Sequence, residues 1–311
     1  MPLTLTDREG SVSAPAYDAV RRAFDRAGIV AAKGALTAGL VGRGIQESRT
    51  PRMHEAEGTR LGLRYNYCLL DFDQLVLDDP ALGAVVGLAQ ERGFAGLNVT
   101  HPFKEHVFGS LDGLSPDAAA IGAVNTIVLR EDGRIGHNTD CGGFLESFRR
   151  GMRAASVDRV VLIGAGGAGL AVAYALLEIG VTHLAIFDQN EAKTAALVER
   201  LEPFFGRGRI AAAADLEASV RSAAGIVNAT PMGMAKYPGM PLSADWIRQD
   251  QWVADVVYFP LETELLRMAR AAGCRTLPGI GMAVFQAVKA FELITGIVPD
   301  ADHMARHFET A

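Results

Sequence analysis

The chain has 311 residues, 49% hydrophobic and 21% charged, with 30 Lys and Arg against 36 Asp and Glu for a net charge of −6. That length allows about two domains of ordinary size, and the acidic balance argues against a nucleic-acid or anionic-membrane partner. No apolar run nears the roughly 18 residues of a membrane span, and three scattered cysteines, Cys68, Cys141 and Cys274, make neither a disulfide framework nor a zinc knuckle. Those cysteines fit a reducing cytoplasm as the expected location, and "MPLTLTDREGS" carries acids and no apolar core, unlike a secretory leader.

Residues 1–35 read as an extra arm, in which "APAYDAVRRAFDRAGIV" spaces Ala16, Val20, Phe24 and Ile29 as a docked helix or a frayed tail. From Ala35 the pattern alternates. "ALTAGLVG" is a short apolar strand and "PRMHEAEGTRLGL" a helix. "YNYCLLDF" is a strand with Tyr65, Tyr67 and Leu69 on one face, and "ALGAVVGLAQERG" a helix closed by Gly93. "AGLNVT" is a third strand, and it runs into Thr100, His101, Pro102 and Lys104. Proline fixes the backbone there, so a rigid turn follows a strand end, a place where side chains are aimed. "AAIGAVNTIVLREDGRIGHNTD" reads as two strands joined by an Asp132-Gly133 turn. Strands alternating with helices predict an α/β sheet with parallel strands.

A charged stretch from Phe144 to Ser156 then leads to a second unit. It opens with "RVVLIGAGGAGLAVAYALLEIG" followed by "HLAIFDQN", a βαβ unit around a glycine loop. Gly164, Gly166 and Gly169 match G-x-G-x-x-G, with Gly167 in the same loop, and Asp188 stands nineteen residues past Gly169 at the end of the next strand. In that setting the first glycine makes the tight turn, the second lets backbone approach a pyrophosphate at the helix N-terminus, and the third lets helix and strand pack closely. Asp188 can accept both ribose hydroxyls of NAD and would repel the 2′-phosphate of NADP. No arginine follows it and Lys193 is a helical turn away, so NAD is preferred and NADP remains possible. "GIVNATPMGM" and "WVADVVYFP" are both strand-then-loop, and "GMAVFQAVKAFELITG" is a helix with Ala283, Ala287, Ala290 and Ile294 on one face.

Polar residues recur at strand ends: Ser48-Arg49-Thr50-Pro51, Asn98-Val99-Thr100 with Pro102 and Lys104, Asn125-Thr126, Asn138-Thr139-Asp140, Asn228-Ala229-Thr230-Pro231, and Gly279 with Met282 and Gln286. Their order around one dinucleotide-type unit resembles the shikimate dehydrogenase family from Ala35 on, and most of all its NAD-linked quinate/shikimate branch. The resemblance implies an N-terminal α/β substrate domain and a Rossmann-type doubly wound dinucleotide-binding domain with the cleft between them. The substrate domain would take residues 1–142 and be completed by helices in 279–311; the dinucleotide domain would take 143–278. It implies that Lys104 and Asp140 are the catalytic pair and that Ser48 and Thr50 hold the substrate carboxylate, with Tyr258 near it. Thr100, Asn125 and Gln286 would hold ring hydroxyls. Asn228, Ala229, Thr230, Met232, Val256, Gly279 and Met282 would line the nicotinamide side. Two departures stand out: Thr50 where many biosynthetic members have serine, and Phe187-Asp188-Gln189 where they carry an Asn-Arg-Thr type NADP signature.

The chemistry of these residue types agrees. Oxidising a secondary alcohol moves a hydride to nicotinamide and a proton to a base, and a lysine beside a carboxylate can hold the hydroxyl and pass its proton. The expected function is an NAD-dependent dehydrogenase of quinate and shikimate, acting as monomer or homodimer. The alternatives are a biosynthetic NADPH-dependent shikimate dehydrogenase and a non-catalytic dinucleotide sensor. No metal is expected: His303 and His307, four residues apart, have no third ligand in the sequence. Trp246, Trp252, Met234 and Met240 read as packing, His101 and His106 as exposed, and Cys141 as inert.

Overall fold

The computed structural model describes residues 14–309; the opening of the arm, up to residue 13, lies outside the described residues. The chain forms two compact units. One holds residues up to Thr139 together with those from Ala287, the other Asp140–Gln286.

The first unit carries β1 (Leu36–Gly42), β2 (Tyr65–Asp71), β3 (Gly96–Val99), β4 (Gly113–Leu114), β5 (Thr126–Arg130) and β6 (Gly133–His137), ordered β2-β1-β3-β5-β6-β4. β1 runs parallel to β2 and β3, whereas β5 is antiparallel to β3 and β6, so the expected parallel sheet is mixed. The hairpin also differs slightly from expectation: Arg130 pairs with Gly133, so Glu131 and Asp132 make the turn and Gly133 already belongs to β6. The helices are α1 (Ala14–Arg26), α2 (Thr50–Arg60), α3 (Phe72–Leu75), α4 (Leu82–Glu91) and α5 (Pro116–Ile121). α1 is a docked helix. It buries Val20, Ala23 and Phe24 in a core with Val85, Leu97 and Phe103, and Arg92 ties down its end through Asp25 and the Ile29 carbonyl. β1 is buried at nearly every position, which is why it reads as a continuous apolar run.

The second unit is wholly parallel. Its strands β7 (Arg159–Ile163), β8 (His183–Phe187), β9 (Ile210–Ala212), β10 (Gly225–Asn228), β11 (Trp252–Asp255) and β12 (Arg275–Leu277) lie in the order β12-β11-β10-β7-β8-β9. The helices are α6 (Thr139–Gly151), α7 (Gly167–Ile179), α8 (Glu191–Phe205), α9 (Leu216–Ser222), α10 (Glu264–Ala271) and α11 (Ile280–Thr295). This is a doubly wound Rossmann-type sheet whose order reverses at β7, the place where such folds bind dinucleotides. Trp252 packs edge-on against Phe148 with centroids 5.0 Å apart and donates to the Ser156 carbonyl. Met240 packs on the Val161 and Ile226 core, but Met234 is 40% exposed, not packed, because it sits in the loop closed by its bridge to Tyr237.

Both crossings between units fall inside helices, α6 and α11. The last turns of α11 and the final helix α12 (Ala301–Glu309) belong to the first unit. There Ile294 packs on Ala38, Leu40 and Tyr67, with Tyr65 and Leu69 against the same cluster, so these three β2 residues share one face as their alternation implied.

Candidate active site

In the first unit the candidate residues gather where β1 and β3 end. Thr100 follows β3, and its amide donates to the Val41 carbonyl at 2.9 Å. A Cβ on Gly42 would run into the Thr100 methyl, so glycine is what lets the loop after β1 lie against the turn after β3. The His101–Pro102 bond is cis, and Lys104 lies half-buried on the single helical turn Phe103–Glu105. The Lys104 carbonyl accepts the Val124 amide at 2.8 Å, which sets Asn125 beside it in the chain.

Asn125 is buried. Its Oδ1 accepts the Thr139 amide at 2.7 Å and the Thr126 and Thr139 hydroxyls at 3.2 and 3.1 Å. Its Nδ2 has no acceptor among the described residues. The network runs on through Asn98, whose Nδ2 donates to Thr126 Oγ1 at 3.0 Å and whose Oδ1 accepts Tyr67 Oη at 2.7 Å. Such a fully buried polar chain specifies one arrangement because any broken link strands a desolvated group. It fixes Thr139, the residue before Asp140, at the start of α6.

Ser48 and Thr50 bracket the start of α2, where Pro51 stands in the first turn, as suits a position that needs no donor. Ser48 Oγ accepts the Thr50 amide at 3.3 Å. The loop that leads to Ser48 is held by Asp71 at the end of β2. Its carboxylate accepts the Gly44 and Ile45 amides at 3.1 Å each and Gln46 Nε2 at 2.8 Å. Burial alone would raise its pKa, but these donors and the Asp73 amide outweigh it and hold the carboxyl below its usual range. On the buried face of α2, burial pushes His54 down to about 3, so it stays neutral.

In the second unit the glycine loop does what its spacing implies. Gly164 has φ +105, and a Cβ on Gly169 would collide with the Gly164 carbonyl oxygen. At Gly166 an added Cβ would meet nothing within 4 Å, Gly167 is exposed, and no side chain caps the N-terminus of α7. A helix start with open amides and free space above it fits a pyrophosphate. Asp188 caps the same region. Its Oδ2 accepts the Ala165 amide at 2.8 Å and its Oδ1 the Asn190 amide at 2.9 Å. The first turn of α8 adds Glu191 and Lys193.

The nicotinamide-side candidates also converge. Gly164 lies against Ala229 and Thr230, and Gly279 against the Val256 carbonyl, where a Cβ would fall at 2.5 Å. Gly143, three residues past Asp140, packs against Met282 and Gln286 of α11. Tyr258 lies just past β11 and is exposed. Asn228 ties its loop together: Oδ1 accepts the Thr230 amide at 3.0 Å and hydroxyl at 2.7 Å, and Nδ2 donates to the Met232 carbonyl at 3.0 Å and to Asp255 Oδ1 at 2.9 Å. Asp255 is the residue that sequence reasoning missed. It is 2% exposed, it also accepts from the Val257 amide and Thr263 Oγ1, and burial raises its pKa to about 6 despite those donors. A carboxylate inside an apolar strand, "WVADVV", was the available signal.

Of the remaining histidines, His101 and His106 are exposed. His303 Nδ1 lies 2.8 Å from Glu57 Oε2, without hydrogen-bond alignment. Among the described residues no group of three His, Cys, Asp or Glu could hold a metal, and no helix is long and apolar enough to cross a membrane.

Residues 40–127 match the shikimate dehydrogenase substrate binding domain, and residues 279–307 the shikimate 5′-dehydrogenase C-terminal domain. A shikimate dehydrogenase (NADP(+)) of Streptomyces avermitilis is 54% identical over 86% of this chain and 92% of its own length. The chain belongs to the shikimate dehydrogenase family. A quinate/shikimate dehydrogenase (NAD(+)) of Corynebacterium efficiens is 45% identical over 87% of this chain and 96% of its own. Among solved structures, quinate dehydrogenase from Corynebacterium glutamicum in complex with NAD superposes with a TM-score of 0.85 at 42% identity, covering 89% of this chain and 99% of that one. Family members thus use NAD or NADP, and the family's fold is the one described above.

Proposed function

We propose that the protein is an NAD-dependent dehydrogenase that interconverts quinate with 3-dehydroquinate and shikimate with 3-dehydroshikimate. The observation that carries the cofactor choice is Asp188. It is held at the end of β8 by two backbone amides, its oxygens keep lone pairs for ribose hydroxyls, and Glu191 rather than an arginine opens the next helix. A 2′-phosphate there would meet like charge.

In this reading the hydroxyls of Ser48 and Thr50 receive the substrate carboxylate, with Tyr258 near it, and Thr100, Asn125 and Gln286 hold the ring hydroxyls. The Asn125 amide suits this because its Oδ1 is already committed to Thr139, leaving Nδ2 as a donor. The Lys104 ammonium holds the reacting hydroxyl oxygen and stabilises charge as it forms, while the Asp140 carboxylate takes the proton. Bound NAD would supply the hydride acceptor for the carbon that bears the hydroxyl. The loop fixed by Asn228 and the backbone at Val256 and Gly279 hold the nicotinamide side.

Initial rates with quinate and with shikimate, each against NAD and NADP, test the proposal. Oxidation of both acids with NAD preferred is the expected result. Activity with shikimate and NADP alone would overturn it in favour of the biosynthetic reductase, the reading that the 54% identity to an NADP-named relative supports.

A further inference from the structure

Arg49 stands between the two hydroxyls assigned to the carboxylate, yet it turns away from them. Its carbonyl accepts the Met53 amide at 3.2 Å, so its backbone is part of the first turn of α2. Its side chain reaches the last turn of α12: Nη1 donates to the Phe308 carbonyl at 2.8 Å, and the guanidinium lies 5.5 Å from the centre of the Phe308 ring. Carbonyls at a helix C-terminus lack helical partners and carry partial negative charge, so a cation is well placed there. Phe308 itself is 5% exposed.

The other end of α12 is fixed to the other end of α2. Glu57, fully buried, accepts the Asp300 amide at 2.7 Å, pairs with Arg60 at 2.7 Å and contacts His303. Arg49 meets residue 308 while Glu57 meets residues 300 and 303, so the helices run antiparallel and are joined at both ends. A helix held at two points transmits its position to whatever it touches. An open groove of about 530 Å³ brings His307 of α12 to the same lining as Ser48, Arg52 and Glu55.

We propose that Arg49 is a positioning residue through which α12 sets the geometry of the Ser48–Thr50 turn, and so the affinity for the substrate carboxylate. The proposal rests on the assignment of Ser48 and Thr50 to that carboxylate. Without Arg49 the turn keeps its 3.3 Å Ser48–Thr50 bond but loses its outer anchor. Two hydroxyls that must meet two carboxylate oxygens then sample geometries that bind poorly.

The test is steady-state kinetics on the full chain with quinate or shikimate as varied substrate. Arg49→Ala should raise the KM for the acid about tenfold, with kcat within about twofold and the KM for NAD unchanged. Arg49→Lys, which keeps a donor, should recover part of the loss. Phe308→Ala should act in the same direction, and the double variant should be no worse than the more affected single, as for residues in one linkage. A wild-type acid KM in Arg49→Ala, or a fall in kcat with both KM values moving together, would overturn the proposal. Should Arg49→Ala not fold, Phe308→Leu removes the ring at similar volume; a raised acid KM supports the linkage and a wild-type one refutes it. Ser48→Ala separates the two assignments. If it leaves the acid KM unchanged, the carboxylate reading fails and the linkage with it; if it raises KM while Arg49→Ala does not, only the linkage fails.

Discussion

Replacing Asp255 by asparagine should change how the stability of the second unit depends on pH. The carboxyl is buried among Asn228, Val257 and Thr263, and its pKa rises from 3.8 to about 6 because desolvation exceeds what three hydrogen bonds return. Between those values the unfolded chain releases the proton while the folded chain keeps it, so stability falls as pH rises. The contribution is fully present below the unfolded pKa and gone once pH passes the folded one. A displacement of about two pKa units corresponds to about 3 kcal/mol. Asparagine has the same shape. Its Oδ1 can still accept from Asn228 and Val257, and its amide can donate to the Thr263 hydroxyl in reversed polarity. Asp255→Asn should therefore match wild type at about pH 4 and exceed it by about 3 kcal/mol near pH 7, the gap opening between those values. Both tryptophans, Trp246 and Trp252, belong to the second unit, so urea unfolding followed by tryptophan fluorescence at a series of pH values reads this unit alone. A difference between variant and wild type that stays constant from about pH 4 to 7 would refute the argument, because it would mean Asp255 titrates alike in the folded and unfolded chain.

The remaining expectations concern turnover and choice of ligand. Lys104→Ala and Asp140→Asn should each lower kcat by roughly 10²-fold or more while NAD affinity, read by fluorescence titration, stays near wild type; normal turnover in either would remove the pair from the chemistry. Asp188→Ala should weaken NAD and narrow its lead over NADP in kcat/KM, since two acceptor positions and a like-charge barrier disappear together; an unchanged ratio would clear Asp188 of that role. Thr50→Ser should shift the quinate-to-shikimate ratio of kcat/KM towards shikimate, by an amount within the roughly 1–3 kcal/mol of one altered polar contact, and a ratio that does not move would place the selectivity elsewhere.

The residues legible in the sequence are those at strand ends with side chains out of keeping with an ordinary loop. The glycine loop could be read in detail because each glycine answers a separate steric demand, and the structure shows two of them directly at Gly164 and Gly169. The strands could be read because β1, β7, β10 and β11 are buried runs with few polar breaks. The antiparallel pairing of β5 with β3 was not legible as such: an apolar run bears no mark of its direction, and only the hairpin turn hinted at it.

What stayed hidden are the partners of the groups that hold the legible ones in place. Asp71, Asn98 and Asp255 each look like a single polar residue spoiling an apolar strand, a pattern that alone says only that a partner must exist. The partners come from distant segments: the Gly44–Gln46 loop for Asp71, Tyr67 and Thr126 for Asn98, Asn228 and Thr263 for Asp255. Each supports a loop in which a candidate site residue lies a few positions on: Ser48 after Gln46, Asp140 after the Asn125 network, Thr230 and Met232 after Asn228. A polyol acid offers many hydroxyls and little apolar surface, so its recognition depends on donors and acceptors fixed before it arrives. Loops alone would not fix them. Buried carboxylates and amides at the ends of the neighbouring strands do, and the raised pKa of Asp255 is the energetic trace of that arrangement: a desolvation cost kept in the folded chain at neutral pH so that the loop beside it has one shape.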